Sequence, residues 1–227
     1  MTASFDPSTP SHEYDPKALV LYGGGGHGKT LIDLVRAAGH FHWIGVIDDR
    51  LPRESTVLGL PVLGGPDQLA ECYKNGIRMA VNGVGGIGNP SVRQHVFEIL
   101  EQAGFDCPAV VHPSAWIEPS ARLEGGVQVL AMTYVSSDAA IGFGSVLNAG
   151  VVVSHDCRLG RCVNLSPGAT LAGNVRVEDY AQIGMNATVN LDITIGRGAR
   201  IGNGATVKAD VPPETIVRAG AIWPPKR

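Results

Sequence analysis

A six-residue repeat constrains the fold of this chain more than any other feature of its sequence. From Val111 to Val207 every sixth residue is Val, Ile or Leu, and seventeen successive units keep the same frame. Four residues after each of these positions stands a small or β-branched residue, from Ala115 to Val211. An α-helix would repeat its apolar residues at about 3.6 and a half-buried strand at about 2, so neither explains a period of six.

A period of six is typical of one flat side of a three-sided solenoid, in which each unit is a short strand followed by a turn. Three units complete one coil, so residues eighteen apart in sequence lie above one another. A single unit buries little apolar surface, and a core forms only when successive coils stack. The sequence therefore predicts an all-β solenoid over residues 111–211.

The residues before the repeat alternate predicted strands with predicted helices. Residues 18–23 form an apolar strand, a glycine-rich turn and a helix follow, and a second strand ends on two acids at 48–49. A third strand at 77–81 runs into another glycine-rich loop at 82–89. This order predicts an α/β half-Rossmann domain over residues 18–110.

The first glycine-rich turn has the form of a nucleotide-binding motif. Gly23, Gly25 and Gly28 match the pattern G-x-G-x-x-G between a strand and a helix. Glycines let the backbone approach a ligand closely, free amides at the helix start attract phosphate, and the acid after the next strand accepts ribose hydrogen bonds. The motif indicates a site for a dinucleotide or a nucleotide-linked sugar, and a tight turn that binds nothing is the alternative.

Composition and charge exclude several classes of protein. The net charge is −3 and no basic run occurs, which argues against nucleic-acid binding. The sequence has no stretch of eighteen apolar residues, so we expect no membrane span. The four cysteines form no C-x-x-C pair, so we expect a reduced, cytoplasmic chain.

The two ends of the chain lie outside the predicted domains. Residues 1–17 lack the regions of a signal peptide and are predicted to be a mobile extension, and residues 212–227 are predicted to cap the solenoid.

One turn of the repeat carries residues that a structural role does not explain. His155 and Asp156 follow each other in the sequence VSHDC. A histidine beside an acid can serve as a general base, because the carboxylate raises the basicity of an imidazole and orients it. The alternative is a surface histidine on a tolerant turn.

The segment NAGVVVSHDCRLGRCVNLSPGATLAGNVRV, with YGGGGHGK upstream, resembles the PglD/NeuD-like nucleotide-sugar acetyltransferases of the bacillosamine, sialic-acid and perosamine pathway type. The resemblance spans roughly residues 18–211. It implies that the solenoid is a left-handed parallel β-helix, that acetyl-CoA is the acyl donor, and that a nucleotide-linked sugar is the acceptor. It also implies a homotrimer in which acetyl-CoA lies between neighbouring solenoids.

The same resemblance implies roles for individual residues. His155 would take a proton from the attacking amine or hydroxyl, Asp156 would raise its basicity, and Gly173, one coil further on, would donate its backbone N–H to the thioester oxygen. Acetyl-CoA contacts are implied at Asn164, Gly173, Met185 and Asn203. Nucleotide-sugar contacts are implied at Gly25, Gly26, His27, Asp48, Asp49 and Gly83. Some family members carry a histidine where Asn164 stands, and many end in a V-P-A-K type segment that this chain replaces with RAGAIWPPKR.

Several functions share this fold. N-acetylation of a nucleotide-linked amino sugar is the first hypothesis, and O-acetylation of a sugar hydroxyl, as in sialic-acid O-acetyltransferases, would use the same base. A metal hydratase would gather about three histidines at a zinc ion. The solenoid has only His112 and His155, whose separation is not a multiple of eighteen, so we expect no metal and assign His112 a structural role. A scaffold protein without catalysis is the remaining alternative.

Overall fold

The computed structural model describes residues 14–88 and 90–225 of the chain. The chain divides into two compact units, Met1–Pro108 and Ala109–Arg227. The first thirteen residues of the predicted N-terminal extension, and the last two residues of the predicted C-terminal tail, lie outside the described residues. The predicted domain boundary at 110/111 lies two residues from the division between the units.

The first unit is an α/β domain built on a five-stranded sheet. Its strands are β1 (Ala18–Tyr22), β2 (His42–Ile47), β3 (Thr56–Val57), β4 (Leu60–Gly64) and β5 (Met79–Asn82). Its helices are α1 (Gly26–Ala38), α2 (Leu69–Lys74) and α3 (Pro90–Gln102), and a 3-10 turn, Pro66–Gln68, precedes α2. These elements confirm the Rossmann-like domain predicted from the sequence.

The strand order of this sheet brings the two glycine-rich loops together. The order is β3-β4-β2-β1-β5, in which β1 pairs with β2 on one side and β5 on the other, both parallel. Tyr22, the last residue of β1, is in register with Ile47 and with Asn82. The carboxyl ends of β1, β2 and β5 therefore lie side by side at the point where the strand order reverses, which is where open α/β sheets bind ligands.

The second unit is a solenoid of two-residue strands. They are β6 (Val110–Val111), β7 (Trp116–Ile117), β8 (Arg122–Leu123), β9 (Gln128–Val129), β10 (Tyr134–Val135), β11 (Ala140–Ile141), β12 (Val146–Leu147), β13 (Val152–Val153), β14 (Arg158–Leu159), β15 (Asn164–Leu165), β16 (Thr170–Leu171), β17 (Arg176–Val177), β18 (Gln182–Ile183), β19 (Thr188–Val189), β20 (Thr194–Ile195), β21 (Arg200–Ile201), β22 (Thr206–Val207), β23 (Ile216–Val217) and β24 (Ile222–Trp223). Every named pairing among them is parallel.

These strands form three sheets, which are the three faces of a left-handed parallel β-helix. The first face runs from β6 to β23, the second from β7 to β24 and the third from β8 to β20. Strands three apart in sequence pair, so Val153 is in register with Leu171, eighteen residues later. Leu165, a large residue of the repeat, and Ala169, a small one, are both fully buried, whereas repeat residues of the first coil, such as Ile117 and Leu123, are partly buried. The predicted period and its interior residues are thus confirmed.

The solenoid continues past the last residue of the strict repeat. Val211 bridges Ile195, and β23 and β24 pair with β21 and β22, all at a spacing of sixteen residues instead of eighteen. The segment predicted as a capping tail therefore contributes two further strands to the first and second faces. Within the residues described here, no helix has the length and apolar character needed to cross a membrane.

Candidate active site

The first unit contains a cavity of about 770 Å³ at the carboxyl ends of its central strands. All six residues predicted to contact a nucleotide sugar line it, namely Gly25, Gly26, His27, Asp48, Asp49 and Gly83. The cavity is also lined by residues that the sequence did not single out, among them Tyr22, Arg50 and four residues of α3, Val92, His95, Val96 and Ile99. Val92, Val96 and Ile99 follow the apolar spacing of a core-facing helix, so their sequence pattern predicts core packing and gives no sign of a cavity.

The glycine turn after β1 leaves the start of α1 open to a ligand. Gly25, the N-cap residue, has no side chain to satisfy the first amides of the helix. A Cβ atom on Gly28 would lie 2.1 Å from the carbonyl oxygen of Gly23, so only glycine fits at position 28 of this helix. Backbone amides at a helix start favour an anionic ligand, and phosphate is the group that this turn suits.

The two acids after β2 have different surroundings. The Asp48 carboxylate accepts hydrogen bonds from the backbone N–H groups of Gly24 (2.8 Å) and Arg50 (2.9 Å). It therefore ties the glycine turn to the end of β2. Asp49 lines the cavity next to Tyr22. Burial, followed by the charges of Asp49 and Asp48, raises the pKa of Tyr22, so this side chain is a neutral phenol.

The second unit carries the predicted catalytic pair on the corner between its second and third faces. Nδ1 of His155 lies 2.8 Å from Oδ2 of Asp156, and both side chains are more than half exposed. A carboxylate can only accept, so Nδ1 carries the proton of this hydrogen bond and a neutral ring has its lone pair on Nε2. Asp156 has a φ of 62°, a left-handed conformation that aspartate tolerates better than most residues.

The same corner of the next coil places Gly173 against the imidazole. A Cβ atom added to Gly173 would lie 2.5 Å from Cε1 and 2.6 Å from Nε2 of His155, so the ring packs on the glycine backbone. The N–H of the following residue, Asn174, donates to the carbonyl oxygen of His155 (2.9 Å), which locks the register of the two coils. Within the described residues, the N–H of Gly173 donates no hydrogen bond.

This arrangement combines a base and a hydrogen-bond donor at one exposed place. The exposed imidazole of His155 packs on Gly173, whose N–H donates no hydrogen bond within the described residues. Cys157, the next residue after the pair, is buried and its Sγ donates to the carbonyl oxygen of Ala172 (3.2 Å). Burial raises the pKa of the Cys157 thiol, so it is not a nucleophile here. The chemistry that the corner suits is proton removal beside an oxygen that gains negative charge.

The residues predicted to contact acetyl-CoA are not all brought together within one chain. Met185 and Asn203 share the corner between the first and second faces, where the side chain of Asn203 accepts the N–H of Met185 (2.9 Å). Asn164 lies on the first face, 7% exposed, and hydrogen-bonds to Ser166 (3.2 Å). Only Gly173 shares the corner of His155. Among the described residues no cluster of three or more His, Cys, Asp or Glu side chains forms a metal site.

Comparison with known proteins identifies relatives of both units. Residues 18–100 match the family model of the PglD N-terminal domain, and residues 174–209 match that of the bacterial transferase hexapeptide, six repeats.

Solved structures resemble most of the chain. A mutant of GDP-perosamine N-acetyltransferase from Caulobacter crescentus, in complex with CoA and GDP-perosamine, is 33% identical with a TM-score of 0.85, over 91% of this chain and 95% of that one. The acetyltransferase domain of PglB from Neisseria gonorrhoeae, in complex with acetyl coenzyme A, is 32% identical with a TM-score of 0.82, over 90% and 97%. WeeI from Acinetobacter baumannii is 28% identical with a TM-score of 0.80, over 89% and 97%.

Proposed function

Because the chain belongs to the PglD/NeuD-like family of hexapeptide-repeat acetyltransferases, we propose that it transfers the acetyl group of acetyl-CoA to the amino group of a nucleotide-linked sugar. The observation that carries this proposal is the corner where His155, paired with Asp156, packs on Gly173. GDP-perosamine N-acetyltransferase was solved with CoA and GDP-perosamine, and the acetyltransferase domain of PglB with acetyl coenzyme A, which supports a nucleotide-linked sugar and acetyl-CoA as the two substrates.

The chain's residues supply the proton transfers of this reaction. Nε2 of His155 removes a proton from the sugar amine as its nitrogen forms a bond to the thioester carbonyl carbon. The N–H of Gly173 donates to the carbonyl oxygen as it gains negative charge. Collapse of the tetrahedral intermediate breaks the carbon–sulfur bond, and the electron pair leaves with the sulfur of CoA. The Asp156 carboxylate stabilises the imidazolium while it holds the proton.

The cavity of the first unit is the proposed site of the nucleotide. The amides at the start of α1 would bind phosphoryl oxygens, and Asp49 with the neutral phenol of Tyr22 offers an acceptor and a donor for ribose or base. The structure already engages Asp48 with two backbone N–H groups. We therefore propose that Asp48 mainly fixes the conformation of the glycine turn, and that Asp49 makes most of the direct carboxylate contacts with the nucleotide.

We propose that the active form is a homotrimer. His155 and Gly173 lie on one corner of the solenoid, whereas Met185 and Asn203 lie on another. This separation supports an acetyl-CoA site between two chains, in which each chain supplies one of the corners. The mass of the protein in solution, measured by light scattering, should equal that of three chains. We also propose a cytoplasmic location, which the four free cysteines support.

The release of CoA thiol tests the proposed reaction. The purified protein is supplied with acetyl-CoA and a nucleotide-linked amino sugar, and in parallel with the analogue that carries a hydroxyl in place of the amine. We expect turnover with the amine alone, and His155→Asn should reduce it by about 10²–10⁴-fold. Turnover with the hydroxyl analogue alone would instead establish an O-acetyltransferase, and no turnover with either would refute the proposal.

A further inference from the structure

A buried arginine on α3 holds the second glycine-rich loop of the first unit. Arg93 is 2% exposed, and its Nη1 donates to the carbonyl oxygens of Val84 (2.7 Å) and Asn82 (3.3 Å). Asn82 is fully buried and completes the network: its amide nitrogen donates to the carbonyl oxygen of Arg93 (2.9 Å), and its amide oxygen accepts the N–H of Val84 (2.9 Å). Burying a guanidinium is costly unless it is hydrogen-bonded, and here carbonyl oxygens of the loop are among its acceptors.

The loop held in this way is part of the cavity wall. Gly83, Val84 and Gly85 all line the cavity. The N–H of Gly83 donates to the carbonyl oxygen of Tyr22 (2.7 Å), so the loop is pinned to the end of β1 as well as to Arg93. A Cβ atom on Gly83 would lie 2.3 Å from the carbonyl oxygen of Gly23, which shows how closely the two glycine loops pack.

This fixation has a consequence for one backbone donor. The N–H and C=O of a trans peptide point in opposite directions, so the Val84 carbonyl that faces Arg93 directs the N–H of Gly85 away from it. Within the described part of the chain, that N–H donates no hydrogen bond. Gly85 also lies beside the helix start, since a Cβ atom on it would be 3.7 Å from Cβ of His27.

We propose that Arg93 is a positioning residue, which holds the Val84–Gly85 peptide so that the N–H of Gly85 donates to a phosphoryl oxygen of the nucleotide. This inference rests on the proposed function, because it takes the nucleotide-linked sugar as the ligand of the cavity. Arg93 is covered by the loop and does not touch the ligand. It acts by orienting a donor opposite the amides of α1, and two sets of backbone N–H groups then bind the same anion.

Substitution of Arg93 tests this role by its effect on two Michaelis constants. Arg93→Gln removes the charge and the forked donor, and Arg93→Lys keeps the charge alone. We expect Arg93→Gln to raise KM for the nucleotide sugar roughly 10-fold to 100-fold, the loss of one hydrogen bond to a charged group, with Arg93→Lys between it and wild type. KM for acetyl-CoA and kcat should stay within about twofold, since the donor contributes to ground-state binding.

Arg36 provides a matched control. It also holds a loop through a carbonyl oxygen, that of Leu58 (2.7 Å), but this loop does not line the cavity. Arg36→Gln should leave both KM values unchanged. Gly85→Pro removes the proposed donor without touching Arg93 and should reproduce the selective rise in KM for the nucleotide sugar.

Two results would overturn the inference. One is a rise in KM for acetyl-CoA as large as the rise in KM for the nucleotide sugar, in both Arg93→Gln and Arg93→Lys. That result would indicate a general loss of structure. The other is an unchanged KM for the nucleotide sugar in a folded Arg93 variant or in Gly85→Pro.

Failure of the proposed function would be recognised separately, as absence of turnover by the wild type. Calorimetric titration with GDP and with UDP then decides the role of Arg93. Wild-type binding that Arg93→Gln weakens roughly 10-fold would support positioning. Equal binding by the two proteins, or no binding by the wild type, would contradict it.

Discussion

The substitution Gly173→Ala tests the packing of the imidazole on the glycine backbone. The added Cβ atom would lie 2.5 Å from Cε1 and 2.6 Å from Nε2 of His155, whereas ordinary contact begins at 3.4 Å. The ring must therefore retreat by about 0.9 Å, the difference between these distances. Its side chain is 60% exposed, so it can move outward without disturbing the solenoid core.

The expected loss follows from the size of this displacement. A misplacement of about 1 Å in the reacting groups costs on the order of 10²-fold in rate, and loss of an oxyanion donor costs about 10²–10³-fold. The methyl group would displace the base and also crowd the N–H of Gly173. We therefore expect kcat to fall roughly 10²–10³-fold. The φ of Gly173 lies outside the left-handed region, so alanine is not strained and stability should change by less than about 0.5 kcal/mol.

The assay is CoA thiol release at saturating substrates, with thermal unfolding measured on the same samples. Ser137 occupies the corresponding corner position one coil before His155, and Ser137→Ala is the control that should keep wild-type kcat. If Gly173→Ala also keeps wild-type kcat, the imidazole does not work from its place against Gly173 and the proposed corner is not the active site. A fall in kcat accompanied by a loss of folding free energy well above about 0.5 kcal/mol would also contradict it, because the variant would then be inactive through unfolding.

Other substitutions test the remaining parts of the structure. Asp156→Asn keeps the size of the side chain and removes its charge, so kcat should fall at least about tenfold while both KM values stay near wild type. Asp48→Ala deprives two backbone N–H groups of their acceptor and should raise KM for the nucleotide sugar about tenfold, as steady-state kinetics would show. Leu165→Ala opens a cavity in the solenoid core and should lower the free energy of unfolding in urea by about 2–5 kcal/mol. Burial raises the pKa of the Cys72 thiol to about 11 from the value of 9.0 expected in the unfolded chain, so the folded state holds this proton more tightly. The stability it contributes should be present below pH 9.0 and lost as the pH rises towards about 11, and Cys72→Ala should flatten this alkaline decline in urea titrations.

The solenoid could be predicted from the sequence because its period fixes both the interior and the register. A strict six-residue spacing assigns each Val, Ile or Leu to the core, and a coil of eighteen residues places Gly173 next to His155 before any coordinates are known. The end of the solenoid could not be predicted in the same way. The eighteen-residue spacing still holds at Val207, but Val211 already bridges Ile195 at a spacing of sixteen. The sixteen-residue spacing of β23 and β24 therefore falls outside the repeat.

The cavity of the first unit could be predicted only in part. The glycine turn and the two acids follow strands directly, so their sequence positions reveal their place at the sheet edge. The burial of Arg93 could not be predicted, because a charged residue on an amphipathic helix is expected on the surface. Only the fold reveals that Arg93 is buried behind the loop. The role of Asp48 could not be predicted either, since the sequence does not show whether a carboxylate faces a ligand or the backbone of its own chain.

A crystal structure of the protein with CoA and the nucleotide-linked amino sugar would show whether His155 and Gly173 form the active site. We expect the sugar nitrogen to lie within about 2.6–3.2 Å of Nε2 of His155, and the sulfur of CoA to lie beside the N–H of Gly173 at the same corner. A sugar nitrogen or a CoA sulfur bound at any other corner of the solenoid would contradict it.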